Sequence, residues 1–103
     1  MSVRMPSNFG QSSAQESALD LLGHEILAEK AAALGRAGQR VEETLKKLRE
    51  NSDDEHRARQ LKEAAAAVHA YFIQRELCGL RRHDAVIREY DIPRAVLVRL
   101  GAS

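Results

Sequence analysis

The stretch Leu27-Ala-Glu-Lys-Ala31-Ala-Ala-Leu34-Gly-Arg-Ala-Gly38-Gln-Arg-Val41-Glu-Glu-Thr-Leu45-Lys-Lys-Leu48 decides the fold. Leu27, Ala31, Leu34, Gly38, Val41, Leu45 and Leu48 recur at spacings of 4, 3, 4, 3, 4 and 3. That is the seam of a helix packed lengthwise on another helix, as in a left-handed coiled coil. Glu42 with Lys46 and Glu43 with Lys47 lie four apart beside the seam, in the order that supports a helix. Gly35 and Gly38 argue for a break, since each costs about 1 kcal/mol relative to alanine inside a helix. The seam keeps its register across both glycines, which a loop has no reason to do. One continuous helix is the better reading, with Gly38 at a close helix–helix contact.

Upstream the pattern changes. Leu19, Leu22 and Ile26, continued by Ala33 and Ala37, make a second apolar stripe about 100° around the helix from the first. The N-terminal half is therefore apolar over a wide arc and the C-terminal half over a narrow one. A wide arc needs more than one neighbour. Ser13-Ala-Gln-Glu16 is a capping box, which starts the helix at Ser13 and carries it to Glu50. Residues 1–12 are polar, contain Pro6 and Gly10, and read as a flexible arm with Phe9 as its one anchor. Residues 13–103 form a single helical domain.

Asn51-Ser52-Asp53-Asp54-Glu55 is short and polar and contains a second capping box, Ser52 to Glu55. A connection this short makes its flanking helices antiparallel neighbours. The second helix, Asp53–Cys78, carries Leu61, Ala65, Val68 and Phe72, widened by Ala64 and Tyr71, before drifting to Ile73, Leu77 and Leu80. Gly79, followed by Leu80, has the form of a glycine C-cap. Two short helices follow. One runs from Asp84, its expected cap, to Tyr90; the other lies between Pro93 and Leu100, with Gly101 just beyond.

Composition agrees with an all-α fold. Sixteen alanines, twelve leucines and 30% charged residues in 103, with no Trp and few Gly or Pro, exclude a disulfide scaffold, a membrane protein and a typical β-sandwich. A net charge of +1 lacks the basic excess of a chain that lives on phosphate backbones, so nucleic acid is an unlikely partner. Cys78 is the one cysteine, which fits a reducing compartment. Neither a signal-peptide core nor an apolar run of membrane-span length is present, and the expected location is cytoplasmic, away from the membrane.

Chemistry-bearing patterns are few. His24, His56, His69 and His83 are scattered, and none lies three or four residues from another. Asp20 with His24 and Asp53 with His56 fit helix-surface pairing or capping, so no metal or cofactor is expected. His83-Asp84 has the form of a dipeptide used by metal-dependent phosphohydrolases, but further His and Asp ligands are scarce, and a turn followed by a cap accounts for it. Gly35-x-x-Gly38 lacks the Lys and the preceding strand of a phosphate loop. Cys78 has no assigned base. Arg75, Arg81, Arg82 and Arg88 give the C-terminal third a weak basic patch, diluted by Glu76, Asp84 and Glu89.

The segments Ser17-Ala-Leu-Asp-Leu-Leu-Gly-His-Glu-Ile-Leu-Ala-Glu-Lys30 and Tyr90-Asp-Ile-Pro-Arg-Ala-Val-Leu-Val-Arg-Leu-Gly101 resemble a group of small, all-helical, mostly proteobacterial hypothetical proteins of unknown function. The resemblance implies a free-standing small protein and carries no activity, cofactor or site.

The expected architecture is a long antiparallel helical hairpin with two short C-terminal helices folded back. Its apolar stripes exceed what one partner helix covers, which points to a homodimeric bundle or coiled coil. The expected packing or dimer interface is Leu19, Leu22, Ile26, Leu27, Leu34, Gly38, Val41, Leu45 and Leu48. The expected role is a non-enzymatic interaction or scaffold function. The alternative is a nucleic-acid-associated or regulatory protein using the Arg-bearing C-terminal third, and an enzyme comes third.

Overall fold

The computed structural model describes residues 5–51 and 53–100, with side chains from residue 15 onward. The described residues form four helices: α1 (Met5–Glu50), α2 (Asp54–Leu77), α3 (Asp84–Glu89) and α4 (Arg94–Leu100). α1 and α2 form the antiparallel hairpin, and α4 packs on α2. Helix α1 runs unbroken through Gly23, Gly35 and Gly38, as the uninterrupted seam requires. Among the described residues no helix is long and apolar enough to cross a membrane.

The start of α1 differs from the sequence reading. The helix begins at Met5, so residues 5–12, expected to be an arm, are its first turns, and Ser13 lies within it. Pro6 is compatible with this, because in the first helical turn its missing N–H has no carbonyl to find. Residues 1–4 lie outside the described residues, as does Ser52.

At the head of α2 the cap is Asp53, whose carboxylate accepts from the Glu55 N–H at 3.0 Å and contacts His56 Nδ1 at 2.6 Å. The imidazole bond and the backbone bond hold the Asp53 carboxyl below its usual range. Asp53→Ala removes this cap and is expected to destabilise the protein in chemical denaturation. The loss should shrink as pH falls, because a carboxyl held below its unfolded value contributes in full above that value and loses the contribution as pH falls through its lowered one.

α2 ends as Gly79 foretells. Leu80 N–H donates to the Arg75 carbonyl at 2.8 Å and Gly79 N–H to Glu76 at 3.0 Å, with Gly79 at φ +88. This is a Schellman motif. A second one closes α3 without glycine: Ile92 N–H donates to Ile87 and Asp91 N–H to Arg88, with Asp91 at φ +51. The N-cap of α3 is His83 and not Asp84, which is the first helical residue, and the His83 side chain makes no capping bond.

The core sits at one end of the molecule. Val41, Leu45 and Leu48 of α1 meet Ala64, Ala65, Ala67, Val68 and Tyr71 of α2, and Val86, Ile92 and Val96 close the far side. Alanines on α2 let the helix approach closely, so few large side chains are needed. α1 has 46 residues and α2 has 24, about 69 and 36 Å at 1.5 Å per residue. Nearly half of α1 thus extends beyond its partner. The radius of gyration is 21.5 Å, against about 13 Å for a compact chain of this length.

Candidate functional site

Two of the three features that stand out are structural clasps. In the first, Tyr90 lies across the hairpin, its ring edge-on to Tyr71 at 5.5 Å, and both rings lie over Gly38. A Cβ placed on Gly38 would lie 3.0 Å from the Tyr90 hydroxyl and 3.3 Å from Tyr71 Cε1. Arg49, in the last turn of α1, donates to the carbonyls of Tyr90 and Asp91 at 2.7 and 3.0 Å, fastening the α3–α4 turn to the hairpin. Burial, followed by Tyr71 and the carboxylates of Glu42 and Glu89, pushes the Tyr90 hydroxyl up to about 12 from its ordinary 10.0. The neutral phenol is the form the fold accepts, so stability is complete below pH 10 and is lost as pH rises toward 12. The expected result is a fall in the melting temperature over that window, and a shallower fall in Tyr90→Phe.

The second clasp joins the end of α2 to α3. Arg75 Nε donates to His83 Nδ1 at 3.2 Å, which leaves the proton on Nε2 to bond Glu76 Oε2 at 2.9 Å. The His83 ring stacks on Phe72 at 4.1 Å. Arg75 also donates to the Arg82 carbonyl and lies over the Tyr71 ring. Its guanidinium is therefore committed inside the fold, and of the expected basic patch Arg81, Arg82 and Arg88 remain exposed. Among the described residues no three His, Cys, Asp or Glu side chains stand together where they could hold a metal ion. Cys78 is half-buried at the C-cap of α2.

The third feature is a surface. The expected interface residues divide at the point where α2 ends. Gly38, Val41, Leu45 and Leu48 are buried within the chain and Leu34 is half-buried. Leu19, Leu22, Ile26 and Leu27 are 65%, 54%, 56% and 63% exposed, as large apolar side chains seldom are together. Leu21 is exposed beside them, and Ile73, Leu77 and Leu80 are exposed at the end of α2, where the drifting register had suggested packing. On the flank of the hairpin, a groove of about 390 Å³ lies between α1 and α2, floored by Ala37, Ala66, Ala67 and Ala70 and edged by Arg36, Arg40 and Glu63.

Sequence reasoning missed Arg49, whose partners are 41 and 42 residues away and leave no local signal. It also missed the groove, although the run Ala64 to Ala67 together with Ala70 carried a signal for one.

The whole chain, residues 1–103, matches the model of a family of unknown function, DUF6665. The chain belongs to DUF6665. No curated protein and no solved structure matches it. Membership accords with the uncharacterised helical group that the sequence resembles, and it brings no activity to this DUF6665 protein.

Proposed function

We infer that this DUF6665 member is a non-enzymatic interaction or scaffold protein that acts as a homodimer in the cytoplasm. The observation that carries the reading is the stripe Leu19, Leu22, Ile26 and Leu27, each more than half exposed toward the projecting end of α1. Burying such side chains is worth about 1.5–3 kcal/mol each, a large sum beside the 5–15 kcal/mol of a whole domain. A helix projecting from a packed base is also a natural platform for a second protein.

The absence of an assignable nucleophile, base or ligand set in the sequence supports a role without catalysis. The nucleic-acid alternative has weaker support, because Arg75 is committed to His83 and Arg82, and Arg81, Arg82 and Arg88 are interleaved with Asp84 and Glu89. Light scattering at micromolar concentration tests the dimer. The expected mass is about twice the 11.5 kDa of the chain; a mass of one chain, or a salt-dependent shift on DNA or RNA, speaks against the reading.

A further inference from the structure

We propose that the projecting half of α1 docks into the groove between α1 and α2 of a second copy, in a reciprocal exchange about a two-fold axis beside Ala32 and Ala33. This rests on the homodimer reading and specifies its interface.

The occupant has to come from another molecule. α1 is one uninterrupted helix, so its first half points away from the groove that its second half helps to form. Shape favours the match. Groove residues Ala37, Ala66, Ala67 and Ala70 offer nothing beyond Cβ, which leaves room for large side chains, and Leu22 and Ile26 stand one turn apart with nothing to fill.

Charge supplies the register. Residues 13–33 carry four carboxylates, Glu16, Asp20, Glu25 and Glu29, against Lys30 alone, whereas two arginines edge the groove on the α1 side. In an antiparallel helix pair, residues equally distant from the crossing point face each other. Glu25 and Arg40 are equidistant from the point between Ala32 and Ala33, and so are Glu29 and Arg36. Both pairs therefore form in one register, and two-fold symmetry makes four. That register also puts small side chains at the crossing, where the two backbones must come closest.

The helical wheel agrees. At 100° per residue, Glu25, Glu29, Arg36 and Arg40 fall within a sector about 60° wide on α1. Leu22 and Ile26 border that sector on the side that, further along the same helix, faces α2. With the sectors opposed, the apolar stripe of each copy lies over the alanine floor of the other. Glu63, the acid among the described residues lining the groove, sits on the α2 side and away from the arginine pairs.

The test uses two charge-reversed chains, Glu25→Arg/Glu29→Arg and Arg36→Glu/Arg40→Glu. Each alone opposes like charges at all four contacts, and its dimer should weaken about tenfold or more at low salt. An equimolar mixture restores every pair, and should return the two-chain mass at a concentration where either variant alone is monomeric. Rescue on mixing also shows that the variants fold. A mixture that stays monomeric overturns the proposal. So does a dimer that neither variant weakens, although that result leaves the homodimer reading intact. A monomeric unmodified chain removes both.

Discussion

Replacing Leu45 by alanine should remove about 2–5 kcal/mol of folding free energy, the range for truncating a fully enclosed leucine. Leu45 is 1% exposed and lies in a cluster whose other fully enclosed members are the smaller Val41, Ala64, Val68 and Val96. Much of α2's contribution to that cluster is alanine, which cannot reach into the vacated space. Folded domains have only about 5–15 kcal/mol to lose, so the variant should melt far below the parent in a denaturant titration. A loss under 1 kcal/mol would mean that this end of the hairpin is not the core. The same change at Leu22 should behave differently, acting through association and therefore depending on protein concentration.

The second large effect is expected at Gly38. A leucine there has to displace Tyr90 and Tyr71, whose atoms lie 3.0 and 3.3 Å from the position of its Cβ. Overpacking of this kind costs about 1–3 kcal/mol, more than the gain from leucine's better helix propensity. Gly35, three residues earlier, has nothing within 4 Å of that position. Gly35→Ala should therefore stabilise, by about 0.5–1 kcal/mol. Opposite signs at two glycines one turn apart, read by chemical denaturation, distinguish a packing glycine from an incidental one. Equal effects would contradict the Tyr71–Tyr90 clasp.

The hairpin was legible because its physics is local and periodic. The seam from Leu34 to Leu48 repeats at the interval that one helix presents to another. Gly79 with Leu80 spells out its own C-cap. Features built from distant or atypical residues were hidden. Asp91 adopts the left-handed conformation that a sequence reader looks for at glycine, and Arg49 finds acceptors in a turn more than forty residues away. Pro6 and Gly10 suggested an arm, yet a proline in the first turn does not obstruct a helix. The double stripe on the first helix was visible from spacing alone. What covers it was not, because an unpartnered face shows one half of a contact.

Pairing of that face with a second copy is the central claim, and the melting temperature as a function of protein concentration tests it most directly. If folding and association are coupled, a hundredfold rise in concentration stabilises the dimer by RT ln 100, about 2.7 kcal/mol. With a typical unfolding entropy for two chains of this length, the melting temperature should rise by about 6 °C. A melting temperature that stays constant over that range, with a mass of 11.5 kDa throughout, would show that the chain folds alone and leaves its leucine stripe in water.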